Sequence, residues 1–200
     1  MSEPVVGGHL RDLDWYGEQL GAATYTGVTF TDVDLSECTT AGATFEGCTF
    51  HGCRFNSSSH VASAFVACDF RRCNFFDVTF DGCKLTGSVF AECTMRPMTV
   101  RGGQWRGVTL RGAKLSGLDL GNLDLRDSDL SMADLTGSSL NGARLAHAVV
   151  READLTDADL RGADLDAVDV SVARLRRTRL DLSGAVLLAE LRGAVIDTSG

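Results

Sequence analysis

From Leu10 to Leu180 every fifth residue is apolar, and of these 35 positions two, Thr40 and His60, break the rule. Nine of the ten phenylalanines obey this register, and Phe76 does not. Two positions before each large residue stands a smaller one: Val28, Val33, Cys38, Ala43, Cys48 and Cys53 early, then Ala133, Ala143, Ala148, Ala153, Ala158 and Ala163. The unit reads A-[D/N/T]-L-x-G and is clearest from Ala153-Asp154-Leu155 to Ala163-Asp164-Leu165. A period of five is neither the 3.6 of a helix nor the 2 of a flat strand. Self-similarity of this length implies a solenoid.

At these residues the chain resembles the pentapeptide-repeat family. The resemblance implies an all-β fold: a right-handed quadrilateral β-helix in which the large and small residues point inward and four pentapeptides make one square turn. Residue i then lies above residue i+20, and backbone groups pair between coils at about 4.8 Å. Each coil buries its large residues only against stacked neighbours. Glycines such as Gly42, Gly82 and Gly112, just before the small residue, suit a turn at each corner.

The expected organisation is a disordered tail with an N-terminal cap over 1–24, a repeat rod over 25–182, and a C-terminal helix and tail over 183–200. Within 1–24, residues 1–9 read as tail and 10–24 as an irregular first coil that keeps Leu10, Trp15 and Leu20. Residues 25–180 make about eight coils, a rod of roughly 35–40 Å. Phenylalanine fills the N-terminal core positions and leucine the C-terminal ones, with Arg96-Pro97-Met98 near the changeover, where a proline invites a local break. After Leu180 the register fails; Ser183 is placed to cap a short helix that Gly193 ends. That helix is apolar nearly all round. It either caps the last coil or also joins two rods end to end through Val186, Leu187, Leu188, Leu191 and Val195.

Composition narrows the function classes. The chain carries 44% hydrophobic residues and a formal net charge of −8, which argues against direct binding of nucleic acid through phosphates. It has no run of 18 apolar residues and no secretory signal pattern, so it is expected to be soluble and cytoplasmic, without a membrane partner. All seven cysteines, Cys38, Cys48, Cys53, Cys68, Cys73, Cys83 and Cys93, occupy the small inward position and read as packing residues. His60 follows Ser57-Ser58-Ser59 without a neighbouring carboxylate, and phosphate-loop, dinucleotide and metal motifs are absent, so neither an enzyme nor a cofactor is expected.

Charge is uneven along the chain. Residues 115–170 hold twelve acids and four bases, the 114 residues before them twelve and ten, and residues 171–200 three and five. The outward position before the core residue is aspartate at Asp119, Asp124, Asp129, Asp134, Asp154, Asp159, Asp164 and Asp169, with Asp134 and Asp154 stacked a single ladder step apart. These aspartates either serve turn hydrogen bonds and solubility, or form a negative rod able to occupy a protein groove built for DNA. Arg96, Arg101, Arg106 and Arg111 make a basic belt, one per face.

Gly87-Ser88-Val89-Phe90, Met95-Arg96-Pro97-Met98-Thr99, the Ala-Asp-Leu tract and the apolar C-terminal helix are similar to the mycobacterial fluoroquinolone-resistance branch of the family and, more distantly, to its Qnr-like members. That resemblance implies an end-to-end homodimer that mimics duplex DNA, binds DNA gyrase, and modulates it or protects it from quinolones. The N-terminal extension and the basic Arg174–Arg179 cluster depart from the pattern. The competing expectation is an adaptor rod whose charge serves solubility.

Overall fold

The computed structural model of the chain describes residues 3–197. It is a parallel β-solenoid with four faces and one short C-terminal α-helix. On the first face the strands Val5–Val6, Thr24–Thr26, Thr44–Glu46 and Ala64–Val66 stack in that order. The second face stacks five strands from His9–Arg11 to Val89–Ala91, and the fourth stacks five from Gln19–Gly21 to Met98–Arg101. The third face is held by isolated bridges such as Asp34↔Arg54 and Arg54↔Asn74. Pairing is of residue i with i+20, as in Phe50↔Phe70 and Phe45↔Phe65. Above residue 101 all four faces continue as isolated bridges in the same register, for example Asp129↔Val149 and Ser139↔Asp159.

The corners follow from backbone geometry. The N–H of Ala113 donates to the Leu110 carbonyl at 3.0 Å, closing a turn whose third residue, Gly112, has φ +66°. Positive φ at that position is what a type II turn requires. Among the described residues it recurs at nearly every fifth position, and seventeen non-glycine residues, among them Asp32, Met132 and Glu152, accept it. Gly103 is different: φ is +116°, and a Cβ there would stand 2.3 Å from the Cys83 carbonyl oxygen, so only glycine fits. Pro97 occupies a corner position, and the Arg96–Pro97 peptide is cis. The expected break is confined to that peptide, because the ladder resumes with Val78↔Met98 and runs to Asp81↔Arg101.

Inside, the repeat builds columns. Phe30, Phe50, Phe70 and Phe90 stack face to face with centroids 4.6, 4.8 and 4.7 Å apart, the spacing of the strands that carry them. Tyr25, Phe45 and Phe65 form a second column, and perpendicular contacts tie the two together. Each such ring contributes roughly 1.5–3 kcal/mol by burial before entropy is subtracted. Trp105 lies edge-on to Phe80 at the change from phenylalanine to leucine. Six of the seven cysteine thiols donate to carbonyls 23 residues earlier, as in Cys68 to Phe45 at 3.3 Å, the bond that Ser88 makes to Phe65 at 2.7 Å.

The two exceptions to the register are vertical neighbours. Thr40 and His60 pair on the fourth face and are 2% and 1% exposed. His60 Nδ1 lies 2.9 Å from Thr40 Oγ1, and Nε2 lies 3.0 Å from Ser58 Oγ. Ser58 donates its proton to the Phe55 carbonyl, so the imidazole N–H is on Nε2 and Nδ1 accepts from Thr40. Ser63 Oγ, 2.8 Å from Thr40 Oγ1, extends the chain. Burial alone pushes the imidazole down to about 3.

Both ends differ from the sequence expectation. Residues 5–11, expected as a tail and the start of a cap, carry strands: Val5 pairs with Tyr25 and Leu10 with Phe30. Their few apolar side chains resemble a tail, but ladder bonds such as Gly7 N–H to Thr26 O at 2.8 Å need backbone alone. Within 10–24, expected as an irregular first coil, the register shifts at Gln19/Gly21. Residues 1–2 of the expected tail and 198–200 at the other end lie outside the described residues. The helix spans Leu182–Leu191 and is capped by Asp181, not Ser183: Asp181 Oδ1 accepts from the Gly184 N–H at 3.0 Å and Ser183 merely donates to it. Carboxylate has the stronger claim on the orphan N–H groups, and the contact holds Asp181 down to about 2.

Candidate acidic interaction surface

All eight candidate aspartates stand one residue before an inward leucine or valine, so their side chains point outward. Each accepts a backbone N–H two residues on: Asp119 from Gly121, Asp124 from Arg126, Asp129 from Ser131, Asp134 from Thr136, Asp154 from Thr156, Asp159 from Arg161, Asp164 from Asp166 and Asp169 from Ser171. Each thus commits one oxygen, Oδ1, to opening a corner, the local bonding for which aspartate is favoured in turns. The second oxygen, Oδ2, decides what the surface offers.

Three of the eight are neutralised. Asp124, 3% exposed, meets Arg126 at 2.8 Å and Arg144 at 3.2 Å, and the hydrogen bond from Arg126 holds its carboxyl below the usual range. Asp159 meets Arg161 at 2.7 Å, which brings it to about 2, and Asp154 meets Arg174 at 2.7 Å. The stacked pair Asp134↔Asp154 lies in a column that runs Lys114, Asp134, Asp154, Arg174. Like charges one step apart are costly, and the cations at both ends offset this. Burial pushes Asp134 up, but hydrogen bonds from Thr136 and Ser116 and the charge of Lys114 outweigh it.

Bases outside the acidic coils reach into them. Arg106 pairs with Asp127 at 2.7 Å and Arg177 with Asp157 at 2.6 Å. This gives work to one member of the basic belt and to the Arg174–Arg179 cluster; in the belt, Arg96 also donates to Ser116 and Arg101 lies 3.9 Å from Asp81. Among the described residues, Asp119, Asp129, Asp134, Asp164 and Asp169 have no ion pair within 4 Å. The linear charge count therefore overstates the field, and of the eight candidates these five carboxylates remain for a partner.

The five helix-region candidates divide. Leu187 and Leu188 pack against the core and cap the last coil. Val186 is half-buried, whereas Leu191 and Val195 are 39% and 97% exposed, beside Leu182 and Ile196. No group of three or more His, Cys, Asp or Glu side chains is placed to hold a metal among the described residues. No described helix is long and apolar enough to cross a membrane.

A profile for the pentapeptide repeat region matches residues 43–130, and one for pentapeptide repeats (8 copies) matches 26–59 and 143–181. The chain belongs to the pentapeptide-repeat family. Among solved structures, the pentapeptide-repeat fold seen here is similar to full-length QnrB1, a plasmid-mediated fluoroquinolone resistance protein: TM-score 0.57 at 22% identity, over 94% of this chain and 100% of that one. It is equally similar to HetL, a pentapeptide repeat protein involved in heterocyst differentiation regulation from the cyanobacterium Nostoc, with TM-score 0.58 at 18% identity over 90% and 87%. At these identities the likeness is one of fold. No curated protein matches the sequence.

Proposed function

We propose that this pentapeptide-repeat protein is a cytoplasmic DNA mimic that binds DNA gyrase, modulates it and protects it from fluoroquinolones, acting as an end-to-end homodimer. The observation that carries the reading is that five of the eight corner aspartates of the acidic coils keep a carboxylate without an ion pair. Such a surface presents fixed negative charge on a narrow support and complements a basic groove. The fold shared with QnrB1 and the sequence likeness to the quinolone-resistance branch support it. The exposed Leu191 and Val195 at the end of the rod support the dimer. The mode of action is binding, with no cofactor.

The Asp-to-N–H bond at all eight positions favours a second reading, an adaptor rod whose aspartates serve its corners. Supercoiling by gyrase from the same organism, titrated with this protein at two salt concentrations with and without a fluoroquinolone, separates the two. Salt-sensitive inhibition, or fewer drug-trapped cleavage complexes, is the expected result. No effect at micromolar protein would leave the adaptor.

A further inference from the structure

The four faces of the acidic coils are not equivalent. Between residues 115 and 170 the first, third and fourth faces each contain ion pairs: Asp124 with Arg126 and Arg144, Asp154 with Arg174, and Asp159 with Arg161. The second face has none among the described residues. Its outward column runs Asp129, Val149, Asp169, with Asp129 and Val149 paired in register. Glu152 lies at the adjoining corner, also without an ion pair. Val149 is 49% exposed on this face, and at its corner toward the third face Met132 and Val172, 50% and 45% exposed, stand one coil below and one above Glu152; Arg111, which donates to Met132 Sδ at 3.2 Å, and Arg151 lie on the same face. A shallow cavity of about 190 Å³ lies there, lined by His147, Val149, Arg151, Ala167, Asp169 and Val172 among others.

Single exposed apolar side chains need no explanation, but Val149 and Val172 line one cavity together, and an apolar set rimmed by charge marks a contact surface. A polyanion mimic needs charge alone. An apolar strip between free carboxylates instead fits arginine or lysine side chains, whose stems bury on apolar surface while their heads stay polar. Asp129 and Asp169 are two coils, about 10 Å, apart, so two cationic heads can be met on either side of one buried stem.

We propose that the second face, with Val149 at its centre and Met132 and Val172 beside it, is the docking surface for a basic segment of the protein partner, held by Asp129, Glu152 and Asp169. This rests on the gyrase reading above and narrows it to one face and to a mixed apolar and ionic contact.

The test compares affinity for purified gyrase across three variants of the full chain. Asp129→Asn/Asp169→Asn removes charge from the second face and keeps an oxygen for each corner bond. Asp119→Asn/Asp164→Asn removes the same charge from the fourth and first faces. Val149→Asn changes no charge. The expected losses are about tenfold for the first, about fivefold for Val149→Asn, and under twofold for Asp119→Asn/Asp164→Asn, with unchanged melting curves throughout. Equal losses from the two double variants, or full affinity in Val149→Asn, would overturn the assignment of the face. If the wild-type chain does not bind gyrase, the gyrase reading fails first and this inference falls with it.

Discussion

His60 gives the interior a pH dependence that can be worked out in advance. Its imidazole is 1% exposed, neutral, and held by Thr40 and Ser58. Burial lowers it from 6.5 to about 3 in the folded chain. The unfolded chain takes up a proton as pH falls through about 6.5, whereas the folded chain resists down to about 3. Below 6.5 the unfolded state therefore binds more protons, and folding stability falls with pH. The loss is about 1.4 kcal/mol per pH unit, hence about 2 kcal/mol between pH 7 and pH 5. His9, His51 and His147 stand at or near the surface. The assay is denaturant unfolding at pH 7 and pH 5, on the wild type and on His60→Leu, which restores the repeat residue. The wild type should lose about 2 kcal/mol and His60→Leu well under 1. A wild type equally stable at both pH values, or a His60→Leu chain that keeps the full loss, would refute the buried network.

Other outcomes follow from named contacts. Gly103→Ala should destabilise by about 2–3 kcal/mol, since its Cβ meets backbone at an unusual φ, whereas Gly102→Ala, at φ +59° with open space around it, should cost about 1; a thermal melt separates them. Leu135→Arg places an unpaired charge in the core and should cost several kcal/mol, so a normal melting curve would undo the register. Leu191→Asp with Val195→Asp should give a monomeric mass by light scattering while the fold stays intact. An unchanged mass would remove the end-to-end dimer. Leu188→Asp is the poorer probe, because Leu188 also packs on the last coil.

Much of this fold was legible in the sequence because the period of five is carried by side-chain volume. Phe50 and Phe70 had to stack once i and i+20 were aligned. What escaped was carried by backbone or by charge across coils. The first coil pairs through main-chain groups, so Val5 and Val6 looked like a tail. Thr40 and His60 stood out as exceptions, but their separation of twenty, which makes them partners, was the clue to a hydrogen-bonded pair. The same separation joins Asp154 to Arg174 and Asp157 to Arg177, pairs that a count of charge by segment assigns to different regions. The helix cap moved from Ser183 to Asp181 because both residues sit near the helix start and composition does not rank them.

The aspartates remain the crux, since each serves a corner and five also present free charge. Asparagine keeps the side-chain oxygen that accepts the N–H and removes the charge alone. Gyrase affinity at several ionic strengths should therefore be measured for the wild type and for Asp119→Asn/Asp129→Asn/Asp164→Asn/Asp169→Asn, beside their melting curves. A DNA mimic predicts an unchanged melting temperature, about a 10- to 20-fold loss of affinity at low salt, and a flattened salt dependence. Equal affinity and equal salt dependence in the two proteins would contradict it.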